Sequence, residues 1–403
     1  MIKVHSVLVE AIISTLQVIF HGGEGGQGRP ADKVLEQTLK SNKKWGARDR
    51  RFIAESVYDI VRWYRRLAFV ADNFSAKSGN IRTIVSVYGA LHDWDPIPAG
   101  MDKEIVLMEW NKTKSGERAI KASIPDWLDK LGEQELGSNW ASEISSLNEK
   151  APVDLRANSL KASATAVRDA LLKEGIDCRL VSGSGEAVSL NVRKNVFTTQ
   201  AFKDGLFEVQ DRSSQKVAQF LNPQPGDRVV DACAGAGGKS LHLSALMKNK
   251  GRVIAMDIHE WKLKELMQRA RRAGAQNLET RLIDTTKVVK RLENSADKLL
   301  LDVPCTGLGV LRRNPDTKWK LSQDSVQAVQ NLQQDILARY TRILKPGGVF
   351  VYSTCSILPS ENLQQIEWFL KHHGAEFELE EHWSVLPSED NGDGFFAARL
   401  RRR

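Results

Sequence analysis

The sequence predicts an α/β protein with a doubly wound parallel sheet in its C-terminal half, a small α+β module before it, and an all-α N-terminal part. Three observations carry this. From about residue 209 onward, apolar strand-like runs alternate with amphipathic helical ones. Between about 152 and 208, two short strand-like runs flank one helix. Before about 140, the apolar spacing is helical. The 403 residues exceed one ordinary core and fit two or three domains. The expected divisions are 1–140, 150–208 and 209–403.

In the N-terminal part, Val7, Leu8, Ile12, Leu16 and Ile19 recur at helical spacing, and Glu10 interrupts the apolar run. A packed helix, not an export signal, is expected there. The glycine-rich stretch His21 to Gly28 reads as a loop, and Pro30 can open the next helix. Arg48 to Leu67 places Phe52, Ile53, Val57, Ile60, Val61 and Tyr64 on one helical face. Lys40, Lys43, Lys44, Arg48, Arg50, Arg51, Arg62, Arg65 and Arg66 stand against Asp49, Glu55 and Asp59, a net charge of +6 in one short stretch. Such a stretch is either a solvated helix face or an RNA-binding face. Asp95-Pro-Ile-Pro98 and Gly100 mark a long turn.

In the middle module, Val153–Ala157 and Ala187–Asn191 read as strands. The run Ser163 to Glu174 reads as a capped helix stopped by Gly175. In the C-terminal part the strands are expected at Arg228–Ala232, Arg252–Asp257, Leu278–Ile283, Lys298–Asp302 and Gly348–Thr354. Helices are expected at Lys239–Met247, Trp261–Ala273 and Ser325–Leu344. Ligands of such sheets bind at the carboxyl ends of the strands, so the chemistry is sought there.

Composition narrows the class. The chain is 41% hydrophobic and 27% charged, which excludes a wholly disordered, collagen-like or coiled-coil protein. Its four cysteines, Cys178, Cys233, Cys305 and Cys355, are too few and scattered for a disulfide framework, and none forms a C-x-x-C pair. No metal site is expected. No run of about 18 apolar residues occurs, so no membrane span is expected. A cytoplasmic monomer is the expectation. The net charge of +8 suits a polyanionic partner without requiring one.

The first C-terminal strand runs into Asp231-Ala-Cys-Ala-Gly-Ala-Gly-Gly-Lys-Ser240. Gly235, Gly237 and Gly238 let backbone approach a ligand, and the following helix offers free N–H groups. Gly238-Lys239-Ser240 mimics the end of a phosphate loop, but the first glycine of that pattern falls on Cys233. A nucleoside cofactor fits better. Asp257, ending the second strand, can accept both ribose hydroxyls, and Asp284, ending the third, can meet the adenine edge. That set alone suits S-adenosylmethionine as well as NAD. Cys305 and Cys355 follow the fourth and fifth strands in polar turns, where Cys178 reads as a buried filler. A thiolate there is a nucleophile for an electron-poor ring carbon such as pyrimidine C6, which makes C5 carbanion-like and ready for a sulfonium methyl group.

Asp231-Ala-Cys-Ala-Gly-Ala-Gly-Gly-Lys, Asp302-Val-Pro-Cys-Thr-Gly, Arg313-Asn-Pro-Asp-Thr-Lys-Trp319 and Ser353-Thr-Cys-Ser resemble the RNA 5-methylcytosine methyltransferases. So do Gln210-Asp-Arg-Ser-Ser-Gln215 and Asp393-Gly-Phe-Phe-Ala-Ala-Arg399. The resemblance spans about 150–403. Gly46-Ala-Arg-Asp-Arg50 resembles the NusB-like helical RNA-binding domain of the bacterial 16S rRNA methyltransferase B subgroup. It implies a class I S-adenosylmethionine-dependent methyltransferase (Rossmann-like) C-terminal domain acting on RNA, rRNA before tRNA. It implies Cys355 as nucleophile on C6, Cys305 in resolving the adduct, and Asp302 at the cytosine N3–N4 edge. It implies that Cys233, Ala234, Gly235, Ala236, Gly237, Gly238, Lys239, Asp257, Lys262, Asp284 and Asp302 line the cofactor site. An unpaired or flipped cytosine is the expected target. Ala236 stands where the family usually has proline, which loosens the turn slightly. The competing class is a non-catalytic RNA-binding or ribosome-assembly factor on the same fold; it predicts loss of a cysteine or a cofactor acid.

Overall fold

The computed structural model describes residues 2–22, 28–74 and 79–403. They form two compact units. One is the chain up to Glu149 together with Leu311–Gln323, and the other is Lys150–Val310 with Asp324–Arg403. This departs from the division expected at 140 and from an unbroken 209–403 domain. Helix Trp140–Ser146 belongs to the first unit, where the buried Trp140 ring packs so closely on Gly132 that a Cβ there would lie 2.3 Å from it. Segment 311–323 belongs there too, because its polar groups are satisfied inside that unit. Lys318 Nζ, buried, donates to Arg62 O (2.8 Å) and Asn148 Oδ1 (3.0 Å). Trp319 Nε1 donates to Val61 O (2.8 Å), and Asp316 Oδ2 accepts from Ala31 N (3.0 Å).

The first unit is helical, with helices that include Ser6–His21, Ala31–Ser41, Ala47–Arg62, Tyr64–Ala71, Ile81–Leu91, Lys103–Lys112 and Asp126–Leu136. A minimal parallel pairing joins β1 (Ile2–Lys3) to β2 (Trp94–Asp95) at the expected turn. Ile12, Leu16, Ile53, Val57, Ile60 and Ile84 meet in its core, as the helical spacing requires. The helix expected over 48–67 breaks at Trp63, whose ψ of 17° departs from helical geometry. Most of the expected glycine-rich loop, residues 23–27, lies outside the described residues.

The basic stretch is not one exposed face. Arg62 and Arg66 are only 5% and 8% exposed. Arg62 donates to Glu149 O (3.2 Å) and Arg312 O (3.2 Å), and Arg66 to Thr113 Oγ1 (2.7 Å) while covering the Trp110 ring. Arg65 holds Ile124 O and Asp126. Arg50 gathers the carbonyls of Leu39, Asn42 and Trp45 at the end of the second helix. Long guanidinium stems fill apolar space while their donors cap carbonyls. Lys40, Lys43, Lys44, Arg48 and Arg51 stay exposed.

In the second unit, β3 (Asp154–Ala157), β4 (Cys178–Leu180), β5 (Ala187–Leu190) and β6 (Phe207–Val209) form an antiparallel sheet in the order β4-β5-β3-β6. Helix Ala164–Lys173, capped by Ser163, packs Val167 and Leu171 against Leu155, Val188 and Phe207. The second sheet contains β7 (Arg228–Asp231), β8 (Arg252–Asp257), β9 (Leu278–Leu282), β10 (Ala296–Asp302), β11 (Leu344–Thr354), β12 (Phe377–Val385) and β13 (Phe395–Arg402). Its order is β12-β13-β11-β10-β7-β8-β9, with β7 to β11 parallel and the last two strands antiparallel. Strand order reverses at β7, which lies between β8 and β10, so the crevice at its carboxyl end is the expected ligand position. No helix among the described residues is long and apolar enough to cross a membrane.

Candidate active site

The glycine turn opens at that crevice. Gly235 and Gly237 adopt φ of 55° and 87°, and helix Gly238–Leu246 follows. A Cβ on Gly237 would lie 2.4 Å from Leu266 Cγ, so only glycine lets the helix close onto its neighbour. Over Gly235 nothing comes within 4 Å of such an atom, and over Gly238 the nearest is Gln210 Nε2 at 4.0 Å. The turn is therefore a tight curve with an open concave side. Ala236, in the position where proline was expected, is fastened differently: Arg269 Nη1 donates to its carbonyl (2.8 Å). Ala234 N donates to Met256 O (2.8 Å), tying the turn to β8.

Of the two acids expected to hold a nucleoside, Asp257 is bonded to this turn, and Asp284 lines a cavity to which residues 231–239 do not contribute. Asp257 is buried and accepts from Gly235 N (2.9 Å) and His259 N (2.8 Å), with Lys262 Nζ 4.0 Å away. Asp284 is exposed and lines a cavity of about 450 Å³ with Ile283, Thr285, Val289 and Tyr340. Asp231 is buried, accepts from Ser240 Oγ (2.6 Å), and is pushed up to about 7 by burial. Its other oxygen, Oδ1, makes no hydrogen bond of good geometry among the described residues, while the Cys233 backbone N–H lies near enough to favour the ionised carboxyl. A buried carboxyl with spare acceptor capacity beside an open glycine turn suits a ligand with an ammonium group, which would favour its ionised form. Burial and the neighbouring Asp231, Asp302 and Asp257 push the Cys233 thiol well up, which keeps it neutral.

Lys239 decides against a phosphate loop. Its Nζ is 2.7 Å from Asp302 Oδ2, and Ser353 Oγ donates to Asp302 Oδ1 (2.9 Å). The lysine that a triphosphate would need is already paired.

The turns after β10 and β11 bring Cys305 and Cys355 together, with their sulfurs 3.3 Å apart and both thiols free. Adjacent parallel strands make this possible, since Asp302 and Ser353 are paired in register and each cysteine follows shortly after. Cys355 O accepts from Gly309 N (2.9 Å). The Cys305 thiol is pushed well above its ordinary range, first by its hydrogen bond to Cys355 and then by burial. Sequence reasoning did not single out Asp231, Ser240, Ser353 or Arg269 as site residues. Asp231, Ser240 and Ser353 lie within the strand-end motifs, so their positions were a usable signal.

Residues 218–401 match the family described as 16S rRNA methyltransferase RsmB/F, and residues 124–197 match the ferredoxin-like domain of RsmF/B-like methyltransferases. A Synechocystis protein described as probable ribosomal RNA small subunit methyltransferase B is 31% identical over 407 residues, covering 88% of this chain and 91% of the relative. The chain belongs to the RsmB/F family. It is an S-adenosylmethionine-dependent methyltransferase. A solved protein described as PH0851 superposes with a TM-score of 0.84 at 26% identity, covering 100% of both chains. A methyltransferase homolog from Pyrococcus horikoshii gives 0.63 at 28% identity, covering 71% of this chain and 98% of that one. The glycine turn follows Asp231 at the end of β7, Asp257 ends β8, and the thiol pair follows β10 and β11.

Proposed function

We propose that this RsmB/F protein methylates C5 of a cytosine in small-subunit rRNA through a covalent bond between Cys355 and C6. The observation that carries the reading is the pair of free thiols 3.3 Å apart at neighbouring strand ends. A methyltransferase acting on a ring nitrogen or on ribose has no use for two such sulfurs, whereas C5 of cytosine is inert until C6 is attacked.

S-adenosylmethionine, when bound, supplies an electrophilic methyl group. Asp231, Asp257, Asp284 and the 233–239 turn would hold it, with Lys262 beside Asp257. The Cys355 thiolate adds to C6, with the Cys305 sulfur 3.3 Å from it. Asp302, held by Lys239 and Ser353, faces the N3–N4 edge of cytosine and favours it over uracil. Once C5 carries its methyl group it also carries a proton, which must leave before the C6–S bond can break. Cys305 takes that proton as a thiolate, its own proton having passed to solvent, and the C5–H electrons form the C5–C6 double bond as the C6–S pair leaves with Cys355. The causes that hold it as a thiol are led by its hydrogen bond to Cys355, and that bond weakens when the Cys355 sulfur is bonded to carbon. The thiolate form of the base thus gains population at the step that needs it.

The names borne by the curated relatives support rRNA over tRNA as substrate. The intact glycine turn, acids and thiols support an enzyme over an assembly factor. The product nucleoside tests the reading. Digestion of small-subunit rRNA after reaction should release 5-methylcytidine, and bisulfite mapping should place it at one cytosine that is unmodified in cells lacking the gene. Methylation on another atom, or on tRNA alone, would overturn it.

A further inference from the structure

Glu361 lies in the turn Pro359–Glu361, before helix Leu363–His373, and its side chain is fully buried. Its Oε2 accepts from Thr306 N (2.8 Å) and Gln333 Nε2 (3.1 Å). Its Oε1 accepts from Thr306 Oγ1 (2.5 Å) and Ser356 Oγ (2.5 Å). Thr306 follows Cys305 and Ser356 follows Cys355, so one carboxylate is bonded to the neighbour of each cysteine. The bracing extends to the preceding residues. Gln333 Nε2 also donates to Pro304 O (3.0 Å). Asn362 accepts from Thr354 Oγ1 (2.5 Å) and donates to Ser356 O (3.0 Å). Tyr352 OH holds the Glu361 carbonyl itself (2.7 Å).

We propose that Glu361 is a positioning residue whose carboxylate clamps the Cys305 turn to the Cys355 turn and sets the spacing of the two sulfurs. The proposal deepens the thiol reading and rests on it for the link to catalysis. A buried carboxylate is expensive to desolvate, and an apolar side chain would fill the same space at less expense. Four donors from three separate segments satisfy it instead, and they add a side-chain clamp to two loops that the β10–β11 pairing and the Gly309 N to Cys355 O bond already bring close. Burial raises the Glu361 carboxyl, its four donors favour the ionised form, and in that form its charge opposes ionisation of Cys305.

The test uses the full chain with Glu361→Ala and Glu361→Gln. Glutamine keeps an acceptor and fills the same space, while the Thr306 and Ser356 hydroxyls can reverse and accept from its amide. Steady-state methylation of RNA should show kcat lowered about 100-fold for Glu361→Ala, the loss expected when reacting groups are misplaced by about an ångström, with KM for RNA and for S-adenosylmethionine little changed. Glu361→Gln should recover most of that rate. Iodoacetamide labelling of each cysteine, read by mass spectrometry across pH, supplies a readout independent of the methylation chemistry. For Glu361→Gln the midpoint for Cys305 should move to lower pH, because a negative charge has gone.

A kcat for Glu361→Ala within about threefold of the parent would overturn the clamp, since misplaced thiols should lose far more. If Glu361→Ala does not fold, Glu361→Gln decides, and an unmoved Cys305 midpoint overturns the proposal. Failure of the underlying reading looks different. No 5-methylcytidine would form with the parent enzyme, yet the labelling midpoint would still report whether Glu361 acts on the thiols.

Discussion

At Gly237 the fold has room for one hydrogen atom. The backbone is left-handed there, and a Cβ would meet Leu266 at 2.4 Å. Gly237→Ala is expected to destabilise the protein by about 1–3 kcal/mol, through strain and overpacking together, and to weaken S-adenosylhomocysteine binding. Thermal melting and calorimetry check both, and an unchanged melting point would contradict the packing described. Two buried ionisable groups near the turn give opposite pH signatures. Burial holds His242 down at about 4, with Nε2 against Glu186 at 2.6 Å. The unfolded chain takes up that proton first, so His242 costs stability as pH falls from about 6.5 toward 4. Asp231 is raised to about 7, so its contribution is full below about 3.8 and lost as pH rises toward 7. The melting point of His242→Gln should fall less than the parent's between pH 6.5 and 4.5, while Asp231→Asn should gain on the parent as pH rises over the same range. Parallel curves would contradict these assignments. The cofactor turn, Asp257, Asp302 and the thiols were legible because each sits in a short contiguous motif at a strand end. Glu361 was not, because an acid after Pro-Ser reads as an ordinary helix start, and only the fold brings Thr306 and Gln333 to it.

At the scale of elements, β7, β8, β10 and β11 were readable from apolar runs, since their centres are buried on both faces, and β9, a half-exposed Leu-Glu-Thr-Arg-Leu edge strand, from its place in the alternation. β12 and β13 were not. Glu378 and Glu380 alternate along β12 and Arg399 and Arg401 along β13, and Glu380 pairs with both arginines, which masks the apolar face that Phe377, Phe396 and Leu400 bury. β4 and β6 are three residues each, too short to show a period. The basic stretch is where reading by charge alone failed, because charge does not reveal which guanidinium groups are capping carbonyls. Reversing Arg50, Arg51 and Arg62 together would therefore mix folding with binding. Reversal of Lys43, Lys44 and Arg48 is the cleaner probe. If this face meets RNA, each lost phosphate contact should reduce the slope of log affinity against log salt by about 0.7–0.9. Arg62→Ala should instead lower stability by about 1–3 kcal/mol, because the Glu149 and Arg312 carbonyls lose their donor. A flattened salt slope with intact stability for Arg62→Ala would reverse this division.

At the scale of the whole molecule, the chain passes between its two units at three points, and the Arg313–Trp319 motif lies in the unit that lacks the thiols. Trp319 packs with Phe20 and Tyr64 there and bonds Val61 O. Trp319→Ala is expected to cost roughly 3 kcal/mol of stability while leaving S-adenosylhomocysteine affinity within about twofold. Loss of that affinity with an unchanged melting point would return the motif to the cofactor domain. The central claim, however, concerns the two sulfurs, and the most direct measurement is a denaturing gel of labelled RNA after reaction with Cys305→Ala and Cys355→Ala. Cys305→Ala should attack, methylate and stall, giving a slow-migrating protein–RNA band, and Cys355→Ala should give neither band nor methylation. A band from Cys355→Ala alone would exchange the roles, and full methylation by both variants would show that the thiol pair does not carry the reaction.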